Sequence, residues 1–150
     1  MPRAFLLVMD SFGIGATDDA AEYGDVGANT FGHIAESCAA GKANKPGVRQ
    51  GSLQLPTLSA LGLFHAAAEA SGNIIKGAPL PAKTIGSYGF AAEKSLGKDT
   101  PSGHWEMAGV PVMKDWGYFP HTVPCFPEWL TQQLITQGGL PGILGNCHAS

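Results

Sequence analysis

Between Gly97 and Glu106 the chain joins glycines, a lysine, two hydroxyls, carboxylates and a histidine within ten residues, Gly97-Lys98-Asp99-Thr100-Pro101-Ser102-Gly103-His104-Trp105-Glu106. The chemistry open to such a set is nucleophilic. A side-chain oxygen can accept a phosphoryl group and later return it, splitting one difficult transfer into two easier ones. A threonine hydroxyl is a poor nucleophile near neutral pH, and coordination to a metal ion is one way to remove its proton. A hard divalent cation held by oxygen and imidazole suits that task, with manganese or magnesium favoured over softer metals. Proline is favoured at the first helical position, and it pushes the residue before it toward extended geometry. The spacing therefore predicts Thr100 as an N-cap and Pro101 as the first helical residue. That placement sets a hydroxyl where unpaired N–H groups and the positive end of the helix dipole favour a phosphate. The alternative is that Thr100 is only a cap, and Ser102 is the competing hydroxyl.

Asp10 is the second candidate. It closes the apolar run Phe5-Leu6-Leu7-Val8-Met9, a length that suits a strand buried on both faces of a parallel sheet. The carboxyl end of such a strand is where open α/β sheets place their ligands; a carboxylate there reads by itself as a helix cap or turn residue and, paired with the Thr100 segment, as a metal-ligand candidate. Gly13 and Gly15 invite a dinucleotide-binding reading, but Asp18 stands where the third glycine belongs. Asp18, Asp19, Glu22 and Asp25 do not follow the order of an EF-hand and read as a solvated loop. The five histidines are scattered with no pair at i, i+4; His33 reads as an exposed helical residue, and His121 and His148 as structural.

The elements that must position these groups follow from periodicity and punctuation. Thr30 is expected to cap a helix with apolar positions Phe31, Ile34, Ala35 and Cys38, ended by Gly41. Thr57 is expected to cap a short helix through Leu61, Phe64 to Ala70 reads as helical, and 72–79 as irregular. Ile85 to Phe90 reads as a strand that delivers the chain to the Thr100 loop. Trp116, Tyr118, Phe119, Phe126 and Trp129 crowd into fourteen positions among Pro120, Pro124 and Pro127. That stretch is either a proline-kinked loop packing its aromatics or a crossover into a second domain. A last helix is expected from Pro127 to about Gln137, closed by Gly138 and Gly139.

Composition bounds the rest. A chain of 150 residues, 44% hydrophobic and 14% charged, is expected to be globular. Its 21 glycines and 11 prolines are about twice the usual share, as expected where turns and loops carry a site. A net charge of −3 gives no basic footprint for nucleic acid. Cys38, Cys125 and Cys147 match no Cys-x-x-Cys pattern and read as reduced thiols of a cytoplasmic protein. The run from Ala4 to Met9 is far too short to span a bilayer.

Lys98-Asp99-Thr100-Pro101-Ser102-Gly103-His104-Trp105-Glu106 resembles the nucleophile segment of the phosphopentomutases, in the alkaline phosphatase superfamily. Met9-Asp10-Ser11-Phe12-Gly13-Ile14-Gly15 resembles the first metal-ligand segment of the same family. The likeness runs to Gly145-Asn146-Cys147-His148, although the family's chains are several hundred residues long. The resemblance implies an α/β, alkaline-phosphatase-like core with a mostly parallel sheet over residues 1–112, running into the start of a cap domain over 113–150. It implies interconversion of (deoxy)ribose 1-phosphate and (deoxy)ribose 5-phosphate, with pentose phosphates as partners, two divalent ions (Mn2+, or Mg2+) and a sugar bisphosphate activator. Thr100 becomes the phospho-acceptor and a metal-bound oxygen, Asp10 a ligand to the same ion, and Asp99, Ser102 and His104 substrate-binding groups. Thr100 is preferred over Ser102 because it aligns with the nucleophilic serine of the related cofactor-independent phosphoglycerate mutases. The remaining ligands belong to a C-terminal half that this chain lacks, so the chain alone is expected to be inactive.

Overall fold

In a computed structural model, residues 2–114 and 116–147 are described; His148 lies outside them. The chain divides into two compact units, Met1–Glu93 and Lys94–Ser150.

The first unit is built on three helices, α1 (Thr30–Ala39), α2 (Pro56–Leu61) and α3 (Leu63–Ser71), preceded by a 3-10 turn at Ala20–Tyr23. The expected apolar spacing of α1 works through Phe31, Ala35 and Cys38, which are buried, while Ile34 stays exposed. Phe31 is fully buried, its ring 5.8 Å from that of Phe12 and 5.4 Å from that of Phe64. Ala35, Ala67, Ile75 and Ala78 complete this core, with Phe12, Ile14, Leu53, Leu55 and Leu63 packed on its rim. The irregular stretch after α3 comes so close to α1 that a Cβ on Gly77 (φ +86°) would lie 2.6 Å from the Ala35 carbonyl oxygen. Glycine is required there both for space and for the positive φ.

The caps depart from expectation in one consistent direction. Helix α1 is capped by Asn29, whose Oδ1 accepts from the Gly32 N–H at 2.9 Å, so Thr30 is the first helical residue. Pro56, with no N–H to satisfy, starts α2 after Leu55, and Thr57 falls inside the helix. In both places a residue one or two positions earlier takes the boundary. For α1 the reason is that Asn caps more strongly than Thr. The helices over Phe64 to Ala70 and through Leu61, the irregular 72–79, and Gly41 with positive φ after α1 are found as expected.

The expected parallel sheet is not found among the described residues. Among the described residues the one β pairing is an isolated antiparallel bridge, Lys45 to Arg49. Phe5 to Met9 is exposed, with Leu7 at 89%, and Ile85 to Phe90 forms no ladder. An apolar run becomes a buried strand only when neighbouring strands complete its hydrogen bonds. No described segment supplies them, so the apolar side chains stay at the surface.

The second unit holds α4 (Thr100–Met107) and α5 (Glu128–Gly138), the latter closed by Gly139 in the left-handed conformation as expected. The aromatic stretch between them packs in pairs, Trp105 edge-on to Trp116 and Phe119 edge-on to Phe126. Asn146 fastens the approach to α5: its Oδ1 accepts from the Phe126 N–H at 2.7 Å and its Nδ2 donates to the Phe126 carbonyl at 2.8 Å. Cys38 and Cys125 are buried, Cys147 is exposed, and none is in a disulfide. Among the described residues no helix is long and apolar enough to cross a membrane.

Candidate active site

Helix α4 begins at Thr100, and its N-cap is Asp99, one residue before the position expected from the Thr-Pro pair. Asp99 has extended backbone (φ −123°, ψ 163°), and its Oδ1 accepts from the Ser102 N–H at 3.0 Å. A carboxylate accepts that bond better than a threonine hydroxyl and also complements the dipole, so Asp99 displaces Thr100 from the cap. The shift changes what the helix end offers. Pro101 carries no N–H and the Ser102 N–H is engaged by Asp99, which leaves the Thr100 amide as the donor of the first three helical residues.

The two hydroxyls have opposite environments. Ser102 is fully buried; its Oγ donates to Asp99 Oδ2 at 2.9 Å and accepts from Trp116 Nε1 at 2.7 Å. A serine hydroxyl has one proton, and this one is committed to a carboxylate. Thr100 is exposed. Tyr118 adds a longer bond from its hydroxyl to Asp99 Oδ2, 3.3 Å. Chiefly through the Ser102 N–H, then through the Ser102 and Tyr118 hydroxyls, the Asp99 carboxyl is held below its ordinary range, against some desolvation. Gly97 lets this cluster close: a Cβ there would lie 2.5 Å from Ser102 Oγ and 2.7 Å from Asp99 Oδ2.

The other end of α4 is tied by Glu106. Its Oε1 accepts from the Lys94 N–H, and its Oε2 from the Ser95 N–H, each at 2.8 Å, and Oε2 also accepts from the Ser95 hydroxyl. Ser95 Oγ in turn accepts from the Val112 N–H at 3.0 Å. The Ser95 hydroxyl, the Lys94 and Ser95 amides and the charge of Lys98 hold the Glu106 carboxyl low. His104 Nδ1 lies 2.8 Å from the Thr100 carbonyl oxygen, which requires the proton on Nδ1 and leaves Nε2 as an acceptor in the neutral ring.

Thus Thr100, Asp99, Ser102 and His104 are gathered on one helical turn. Asp10 belongs to the first unit, exposed in a turn beside Ser11, whose φ of +54° is in the left-handed region. The chain is then anchored by Phe12 on the Phe31 ring and by the Phe31 N–H to the Gly13 carbonyl, 3.0 Å. Carboxylate and hydroxyl oxygens are donors that fit a hard divalent ion. Among the described residues, however, no three His, Cys, Asp or Glu side chains converge, so they do not complete a ligand set. An ionised Asp99 beside Thr100 would repel an incoming phosphate, which is where a cation's charge is needed.

Ser95, Gly97, Glu106, Trp116 and Tyr118 join the site without a role expected from the sequence. Glu106 and Gly97 stand inside the motif, and an Asp just ahead of Thr-Pro is itself a strong N-cap residue, the local signal for the Asp99 cap. No local signal pairs Trp116 with Ser102, fourteen residues away through an aperiodic loop.

The family profile described as "Metalloenzyme superfamily" matches residues 2–139. Curated proteins named phosphopentomutase match along the whole chain: 58% identity over 150 residues in Sinorhizobium fredii, 59% in Rhizobium meliloti and 60% in Rhizobium etli. The match covers 100% of this chain and 37% of each relative. No solved structure matches the chain.

Proposed function

The chain belongs to the metalloenzyme superfamily, and from that premise we propose that it carries the nucleophile segment of a phosphopentomutase. The reaction is interconversion of ribose or deoxyribose 1-phosphate with the 5-phosphate, and the phospho-acceptor is Thr100. The observation that supports this best is the contrast between an exposed Thr100 and a buried Ser102 whose proton is already donated.

In each half-reaction a bond forms between Thr100 Oγ and phosphorus, or breaks there, as the opposite bond to a sugar oxygen breaks or forms. As Thr100 Oγ takes the phosphoryl group it gives up its proton and the departing sugar oxygen takes one up; in the return half-reaction the attacking sugar hydroxyl gives up a proton and Thr100 Oγ regains one. Asp99 and Ser102, bonded to each other, hold the turn that presents Thr100, and exposed His104 is the nearest of the three to a substrate-contacting role. Thr100 and, from the first unit, Asp10 are the proposed contributions to holding divalent ions, Mn2+ or Mg2+. Bound there, such an ion would lower the pKa of the hydroxyl. A sugar bisphosphate primes Thr100, residues 113–150 begin a cap domain, and further ligands come from sequence equivalent to the unmatched 63% of the relatives.

The test mixes this chain with the part of the Sinorhizobium fredii phosphopentomutase outside its match, in the presence of pentose bisphosphate and Mn2+. Phosphate is expected on Thr100, and its appearance is expected to fail with Thr100→Ala or a chelator. Phosphate on another residue, or transfer that survives Thr100→Ala, contradicts the reading.

A further inference from the structure

A nucleophile on the first turn of a helix is only as well placed as that turn. Three features of the second unit converge on it. Ser102 is fully buried and has both its amide and its hydroxyl on Asp99. Trp116 Nε1 donates to the same hydroxyl at 2.7 Å, from a loop fourteen residues on. The Trp116 ring also meets Trp105 of α4 edge-on, centroids 6.0 Å apart. An indole N–H is a donor with no acceptor capacity, so the direction of the chain of bonds is fixed: Trp116 to Ser102, Ser102 to Asp99. Turned toward the indole, the Ser102 proton would oppose the indole proton, so the Trp116 bond favours the orientation in which that proton rests on Asp99.

We propose, on the premise that Thr100 is the phosphoryl acceptor, that Trp116 is a positioning residue: through the buried Ser102 hydroxyl it locks Asp99 as the cap and so fixes where Thr100 Oγ is presented. Tyr118, bonded to Asp99 Oδ2, acts on the same carboxylate from the same loop. The aromatic loop after α4 thereby sets the geometry of the nucleophile. Movement of that loop is transmitted to Thr100.

The informative variant is Trp116→Phe, which removes the N–H while keeping an aromatic ring against Trp105. Trp129→Phe, on the exposed face of α5, is the control for losing a tryptophan elsewhere. In the unmodified chain, amide exchange at Ser102 is measured against Thr131, whose N–H bonds to Pro127 within the α5 region. Trp116→Phe is expected to speed Ser102 exchange roughly tenfold with Thr131 unchanged, the loss of one hydrogen bond's restraint. In the mixture with the complementary part of the relative, phosphorylation of Thr100 is expected to slow about tenfold while the half-saturating bisphosphate concentration stays within about twofold. Ser102→Ala should reproduce both effects, and combining it with Trp116→Phe should add little.

Unchanged Ser102 exchange, an unchanged rate of phosphorylation, a rise in half-saturation alone, or equal effects from Trp129→Phe each overturn the proposal. If Trp116→Phe fails to fold, Ser102→Ala decides by the same two readouts. Absence of phosphate from Thr100 in the parent mixture overturns the phosphothreonine reading instead, and the exchange measurement still decides whether Trp116 holds the turn.

Discussion

Replacing Gly97 by alanine tests the packing of the candidate site without touching any group that does chemistry. Gly97 is buried, and a Cβ there would lie 2.5 Å from Ser102 Oγ, 2.7 Å from Asp99 Oδ2 and 3.0 Å from Trp116 Cδ1. Real Cβ contacts are not that short, so something must move. Ser102 cannot swing aside as a long surface side chain could, because it is fully buried and bonded on both sides. Overpacking of this kind costs about 1–3 kcal/mol. Displacing a buried hydroxyl from its partners costs about 1–3 kcal/mol more. A loss of at least ~2 kcal/mol is therefore expected. All three tryptophans, Trp105, Trp116 and Trp129, lie in the second unit, so urea unfolding followed by tryptophan fluorescence reads that unit selectively. The midpoint should fall with the slope unchanged. Ser102→Ala removes the atom nearest the new Cβ, so the double variant should be more stable than the sum of the singles by ~1 kcal/mol or more. A neutral Gly97→Ala, or strict additivity with Ser102→Ala, would refute the close-packed cluster.

Acidification should act on the same unit. The Asp99 and Glu106 carboxyls are both held low in the folded chain, so the folded state binds fewer protons than the unfolded one. Their contribution is fully present above the ordinary carboxylate range and is lost as pH falls through the lowered folded values. The fluorescence midpoint is expected to be level near neutrality and to drop below about pH 4, with a shallower drop in Glu106→Gln; a fall between pH 6 and 8 instead would implicate a different group. In the first unit, Phe31→Ala should lose about 3–5 kcal/mol by far-ultraviolet circular dichroism, because it empties a fully buried site between two rings. Gly77→Ala should lose ~2 kcal/mol or more by the same measurement, from the contact with Ala35 and the positive φ together. Thr100→Ala, at an exposed position, should stay within about 0.5 kcal/mol of the parent in urea.

What could be read from the sequence was what is local. The apolar spacing of Phe31, Ala35 and Cys38, the alanine-rich run after Phe64 and the Gly138-Gly139 stop each specify a helix within their own residues, and each helix is there. Caps were legible only to within a residue or two, because Asn29-Thr30 and Asp99-Thr100 each offer two capping residues in a row. Phe5 to Met9 and Ile85 to Phe90, expected as strands, form no ladder among the described residues for a different reason. Strand pairing is non-local, and periodicity says nothing about whether a partner is present. At the site, the motif drew attention to Thr100 and Ser102 together. What separates them is the burial of Ser102 and its bond to Asp99, completed by a tryptophan that no pattern in its loop announces.

The central claim is that Thr100, and not the buried Ser102 two residues on, accepts the phosphoryl group. The direct measurement is the location of phosphate by peptide fragmentation after this chain, with the complementary part of a phosphopentomutase relative and Mn2+, meets pentose bisphosphate. The account predicts phosphothreonine at Thr100, absent in Thr100→Ala and unaffected in position by Ser102→Ala. Phosphoserine at Ser102, or phosphate elsewhere on the chain, would contradict it.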